Sequence, residues 1–72
     1  MKIKSAADFG SMIKNRRKAL GYTQAYLAEF TGLSASFISN LENGKETAEL
    51  NKALTLAMLL GLDLELLPRE GR

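Results

Sequence analysis

The chain contains no cysteine and no histidine. Without cysteine there is no disulfide and no thiolate to hold a structural metal, so 72 residues must be stabilised by packing, or by packing helped by self-association. Without histidine the commonest general base is gone, and only carboxylates, lysines and hydroxyls remain for chemistry. No apolar run approaches the ~18 residues of a membrane span, and no leader pattern opens the sequence. A chain of this length makes one domain and buries too little surface for a roomy internal active site. These absences point away from an enzyme, a metal site, a cofactor or a membrane protein, and toward a soluble cytoplasmic binding module.

What is present is 46% hydrophobic residues and an uneven charge distribution. The net charge is only +2, yet residues 1–45 carry seven Lys/Arg against three Asp/Glu, whereas residues 46–72 carry three against five. A first part near +4 and a second near −2 is the asymmetry expected when one part meets phosphate and the other meets protein, although solvated surfaces also show such splits.

Periodicity and caps predict helices. Ser5-Ala6-Ala7-Asp8 has capping-box spacing, with Asp in place of the usual Glu or Gln. From there Phe9, Met12, Ile13 and Leu20 recur at helical offsets, interrupted by Arg16 and Arg17, until Gly21 stops the helix. Thr23 caps a short helix from Gln24 to Phe30 with Leu27, Ala28 and Phe30 as its inward residues, and Thr31-Gly32-Leu33 breaks it. Ser34 caps a third helix through Glu42, with Ile38 and Leu41 inward and Asn43-Gly44 closing it. Thr47 is the expected cap of a fourth helix to about Leu60, whose broad apolar face includes Leu50, Ala53, Leu54, Leu56, Ala57, Leu59 and Leu60. After Gly61, the stretch Leu62-Asp63-Leu64-Glu65-Leu66-Leu67-Pro68 alternates apolar and acidic residues with period two, which makes it the one strand candidate. The expected organisation is a helical domain over residues 1–61, a dimerisation strand over 62–68 and a tail over 69–72.

Two short helices joined by a three- or four-residue glycine turn are the helix-turn-helix signature, in which the second helix enters the DNA major groove. The run Arg17-Lys18-Ala19-Leu20-Gly21-Tyr22-Thr23-Gln24, then Leu27-Ala28, Gly32-Leu33-Ser34 and Ile38-Ser39-Asn40-Leu41-Glu42-Asn43-Gly44-Lys45, closely resembles the Cro/CI repressor-like helix-turn-helix family over roughly residues 9–61. At both ends, Ser5-Ala6-Ala7-Asp8 and Gly61-Leu62-Asp63-Leu64-Glu65-Leu66 with Pro68-Arg69 look like the HipB-type antitoxins. The resemblance implies an all-α, four- to five-helix, lambda-repressor-like domain with a short carboxy-terminal strand that pairs across a dimer. It further implies a repressor of its own operon that restrains a HipA-like serine/threonine kinase toxin. Two other readings share the same features: a module that sequesters the kinase with little role at DNA, and a free-standing repressor without a toxin.

Within this frame, Thr23 and Gln24 at the start of the second helix are candidates to grip a phosphate, where free N–H groups and partial positive charge favour an anion; for both, capping alone is the plainer reading. Ser34, Ala35, Ser36, Ser39 and Asn40 fall on the outer side of the third helix and match the family's groove-reading positions. Asn40 can bond adenine bidentately and Ala35 can touch a thymine methyl. Phe37 stands where the wider family has a small polar residue, and is either a partly buried rim residue or a wedge against the sugars of the DNA backbone and thymine methyls. Lys14, Lys18, Asn43 and Lys45 are candidates for phosphate contacts that position without reading sequence. The resemblance sets Arg17 and Glu42 apart as a partly buried bridge from the first helix to the end of the third.

A lone strand leaves its backbone N–H and C=O groups unsatisfied, and pairing with a symmetry mate satisfies them. Leu62, Leu64 and Leu66 would then line an isologous dimer interface that sets two recognition helices about 34–36 Å apart over a near-palindromic operator. The alternative is a strand lying across its own subunit.

Overall fold

Ser5 opens the first helix of the computed structural model, which describes residues 2–70. Its hydroxyl accepts the Asp8 N–H at 3.1 Å, and the Asp8 carboxylate accepts from the Lys4 N–H at 2.9 Å. The box therefore closes one residue further back than the usual pattern, onto Lys4. Four helices follow in order: α1 over Ala6–Ala19, α2 over Gln24–Thr31, α3 over Ala35–Glu42 and α4 over Leu50–Leu59. No further helix and no strand occur among the described residues. Of the expected tail, residues 71 and 72 lie outside them.

The first three helices start where their caps predict. Thr23 Oγ1 accepts from the Tyr26 N–H at 3.0 Å and Ser34 Oγ from the Phe37 N–H at 3.0 Å, each satisfying one of the amino-terminal donors a helix leaves unpaired. The start of α4 differs. Glu49, not Thr47, is its cap, with the Glu49 carboxylate accepting from the Lys52 N–H at 3.2 Å. Glu46 and Thr47 are taken up in a turn, and Ala48 packs against the core before the helix begins.

One apolar cluster holds the helices together: Ile13 from α1, Leu27 from α2, Ile38 and Leu41 from α3, and Ala53, Leu56, Ala57 and Leu60 from α4 and its cap. Ile13, Leu27, Ile38 and Leu56 are the largest side chains removed from water completely, and each contributes roughly 1.5–3 kcal/mol by that burial. Several residues expected to face inward do not. Phe30 is 56% exposed, Leu50 69%, Leu59 47% and Leu20 37%, because each helix packs on its neighbours along only one narrow stripe.

Two contacts bring the helices into register. Gly10, in the middle of α1, lies against the carboxy-terminal turn of α3 so closely that a β-carbon there would collide with the Leu41 and Glu42 carbonyl oxygens. At the other end of α1, Arg16 Nε donates to the Leu60 carbonyl at 2.7 Å and so caps α4 from outside. The turn between α2 and α3 is Gly32-Leu33-Ser34. Gly32 has φ +77°, a left-handed conformation that glycine adopts without the penalty of a β-carbon, and its N–H returns to the Ala28 carbonyl.

Candidate nucleic-acid interface

The helix pair α2–α3 presents one polar flank. With Ile38 and Leu41 locked in the core, Ser34, Ala35, Ser36 and Asn40 are exposed and Ser39 is half-buried beside them. All five candidates for base reading are thus brought to the amino-terminal part and outer side of α3. Ser34 serves first as the cap, since its oxygen is engaged by Phe37 N–H; its own O–H remains a donor. Asn43 and Lys45 are exposed just beyond the end of α3, and Lys14 and Lys18 are exposed on α1.

Phe37 is half-buried and packs against the core cluster, with the Lys52 ammonium 6.0 Å from its ring centroid. That contact, at the outer range of a cation–π interaction, sets a positive charge from α4 beside α3. No local pattern points to Lys52, since a lysine in the first turn of a helix is ordinary until the neighbour it leans on is known.

Behind the polar flank lies the strongest electrostatic feature of the molecule. Arg17 Nε donates to Glu42 Oε2 at 2.7 Å and Arg17 Nη2 to Glu42 Oε1 at 2.9 Å, a bidentate pair whose side chains are 9% and 1% exposed. Arg17 Nη1 donates to the Tyr22 carbonyl at 2.8 Å, and Gln24 Nε2 to Glu42 Oε1 at 3.0 Å. Burial alone would push the Glu42 carboxyl up, but the hydrogen bonds from Arg17 and Gln24 and the charges of Arg17 and Lys14 outweigh it and hold the group below its usual value. The hydrogen bond to Glu42 raises Arg17 above its ordinary value, against the opposing effect of desolvation. Gln24, expected as a phosphate ligand, is therefore half-buried and also a partner of this pair, a link that the separation of 18 residues hides from local pattern reading. Thr23 is exposed and occupied as a cap.

The face formed by the amino-terminal segment, α4 and the chain beyond it is apolar. Leu62 turns back so that its N–H donates to the Ala57 carbonyl at 2.9 Å, and its side chain packs partly against the core. Thereafter the chain forms neither helix nor ladder, and Leu64, Leu66 and Leu67 are 46%, 99% and 76% exposed. Ile3, Phe9, Leu50 and Ala53 line an open, mostly apolar groove of about 290 Å³ between the amino-terminal segment and the start of α4, and a smaller one of about 100 Å³ lies beside the arm, between Ile3, Met12, Leu62 and Leu64. Among the described residues no helix is long and apolar enough to cross a membrane, and no cluster of Asp and Glu could hold a metal ion.

Comparison with known proteins agrees with this architecture. The Helix-turn-helix family model matches residues 13–67. The HTH-type transcriptional regulator y4mF of Sinorhizobium fredii is 38% identical over 72 residues, covering 99% of this chain and 95% of that protein. The competence pilus inhibition repressor of Acinetobacter baylyi is 49% identical over 39 residues, which are 54% of this chain and 36% of the repressor. A chain of the solved HipA-HipB-O2-O3 complex superimposes with a TM-score of 0.85 at 28% identity, covering 97% of this chain and 99% of that one. A Gly-turned helix pair with a polar outer flank, tied to α1 by a buried Arg–Glu bridge and matched along most of its length, makes this chain a member of the Cro/CI-like helix-turn-helix family of transcriptional regulators.

Proposed function

We propose that the chain is a dimeric, sequence-specific repressor that binds a near-palindromic operator and also serves as the antitoxin to a HipA-like serine/threonine kinase. The observation that carries the DNA reading is the outward flank of α3, where Ser34, Ala35, Ser36, Ser39 and Asn40 gather on a helix anchored from behind by Ile38 and Leu41. Serine hydroxyls and the Asn40 amide are groups that read base edges in the major groove, and Asn43, Lys14, Lys18, Lys45 and Gln24 would hold the phosphates on either side. Lys52 joins that set through its position over Phe37.

The dimer rests on the arm. Leu66 is almost wholly exposed, and a run of bare leucines on a segment with neither helix nor ladder is satisfied by the same segment of a second copy, with Leu62, Leu64 and Leu66 at the seam. The antitoxin role draws support from the likeness to a HipB chain in a complex that also contains HipA. A second reading, a repressor with no kinase partner, draws support from relatives named only as a regulator and a repressor.

A footprint on the promoter upstream of the chain's own gene, alongside a pull-down for a serine/threonine kinase, tests both. Protection of two half-sites about one helical turn apart, with a kinase recovered, supports the full proposal. Protection without a kinase selects the free-standing repressor. A recovered kinase and no protected DNA at low salt would overturn the repressor reading in favour of a sequestering module.

A further inference from the structure

Gln24 is the first residue of α2, and its side chain does not hang free over the surface. Its amide nitrogen is bonded to Glu42 Oε1, the same oxygen that receives Arg17 Nη2. An ionised carboxylate offers acceptors only, so the Gln24 amide must turn its nitrogen, not its oxygen, toward Glu42. The carboxylate cannot rotate to accommodate another arrangement, because the two-pronged Arg17 contact fixes both of its oxygens. Arg17 also reaches the Tyr22 carbonyl, so the chain entering α2 and the first side chain of α2 are tied to one buried pair. Among the described residues the second N–H of the Gln24 amide and its Oε1 have no protein partner.

We propose that Glu42 is a positioning residue for DNA binding, holding the Gln24 amide in one rotamer and one orientation so that its second N–H is available to a backbone phosphate. This rests on Gln24 being a phosphate contact. A free glutamine would lose several rotamers on binding, whereas one already bonded to Glu42 has lost them during folding. Arg17 supplies the other requirement, because an unneutralised carboxylate beside a phosphate would repel it. The ion pair thereby acts at the DNA surface through Gln24, beyond its part in joining α1 to α3.

The test is a double-mutant cycle on affinity for an arbitrary-sequence duplex at low ionic strength, where phosphate contacts alone act. Glu42 is removed together with its partner as Arg17→Met/Glu42→Leu, since an apolar pair of similar size avoids stranding a buried charge. Gln24→Ala should weaken binding while leaving the log–log salt slope nearly unchanged, because the amide is neutral and releases no counterion. The apolar pair should weaken binding about 2- to 10-fold when Gln24 is present, as expected for one side chain that must now be ordered on binding. Combined with Gln24→Ala, it should do nothing further. Equal losses with and without Gln24→Ala, or none in either case, would show that Glu42 acts through the fold alone. Should Gln24→Ala leave affinity unchanged, the phosphate reading of Gln24 fails first, and the proposal with it. If the apolar pair does not fold, Glu42→Gln takes its place under the same criterion, because an amide at 42 no longer dictates which end of Gln24 faces it.

Discussion

At the residue scale the Arg17–Glu42 pair is the side-chain interaction with the largest consequence for stability. Its carboxylate is buried, so removing only Arg17 leaves a charge without compensation and should destabilise the fold by about 3–5 kcal/mol. Acid probes the same group. A carboxyl held below its unfolded value adds stability that is complete above about pH 4.3 and drains away as the pH falls through the folded value. Urea midpoints followed from about pH 5 to about pH 3 should therefore fall more steeply in the natural protein than in Arg17→Met/Glu42→Leu. Parallel curves would mean that Glu42 does not set the acid limb. Gly10 is the second decisive residue. Because the atoms it faces are backbone carbonyls, which cannot swing aside, Gly10→Ala should lower stability by about 1–3 kcal/mol even though alanine is the better helix former. A thermal midpoint equal to or above that of the natural protein would contradict the close α1–α3 approach.

At the scale of elements, the polar flank of α3 is expected to carry sequence choice without carrying the fold. The triple change Ser36→Ala/Ser39→Ala/Asn40→Ala should keep helical circular dichroism and melting close to the natural protein. Loss of a bidentate Asn40–adenine pair alone should cost roughly 1–3 kcal/mol of discrimination, and with both serines removed operator binding should fall near the level of arbitrary DNA. A triple variant that still prefers its operator would place recognition elsewhere. How much of this was legible in the sequence follows from how local each signal is. Ser5, Thr23 and Ser34 announced their helices because a cap and the N–H it receives lie three residues apart. The Cro/CI-like order of residues then identified the outer side of α3 and the Arg17–Glu42 bridge. Thr47 misled because by type it is the better cap; the helix instead starts after Glu49, beyond a turn at Glu46 and Thr47 and the partly packed Ala48. Gly10 against α3, Arg16 on the Leu60 carbonyl and Gln24 on Glu42 left no local trace. They join residues brought together only after the helices pack, 44 positions apart for Arg16 and Leu60.

At the scale of the whole molecule, the proposed dimer divides the work between the body and the arm. Every member of the core cluster lies at or before Leu60, while Leu62 still contributes partial packing and a backbone hydrogen bond. A chain ending after Asp63 keeps those interactions and sheds the exposed leucines. It should remain folded, run as a monomer in light scattering and bind a two-half-site operator far more weakly than the full chain. A truncated chain that still scatters as a dimer would move the interface onto α4, where Leu50, Met58 and Leu59 are exposed.

The separation of the bare leucines at 64, 66 and 67 from the serines and asparagine of α3 has a genetic corollary. If two copies pair through the arm as proposed, an allele altered only on α3 would still recruit normal copies, and each mixed pair would hold one blind half. Such an allele would be dominant, silencing repression in proportion to its share of the pool, whereas an allele lacking the arm would be recessive.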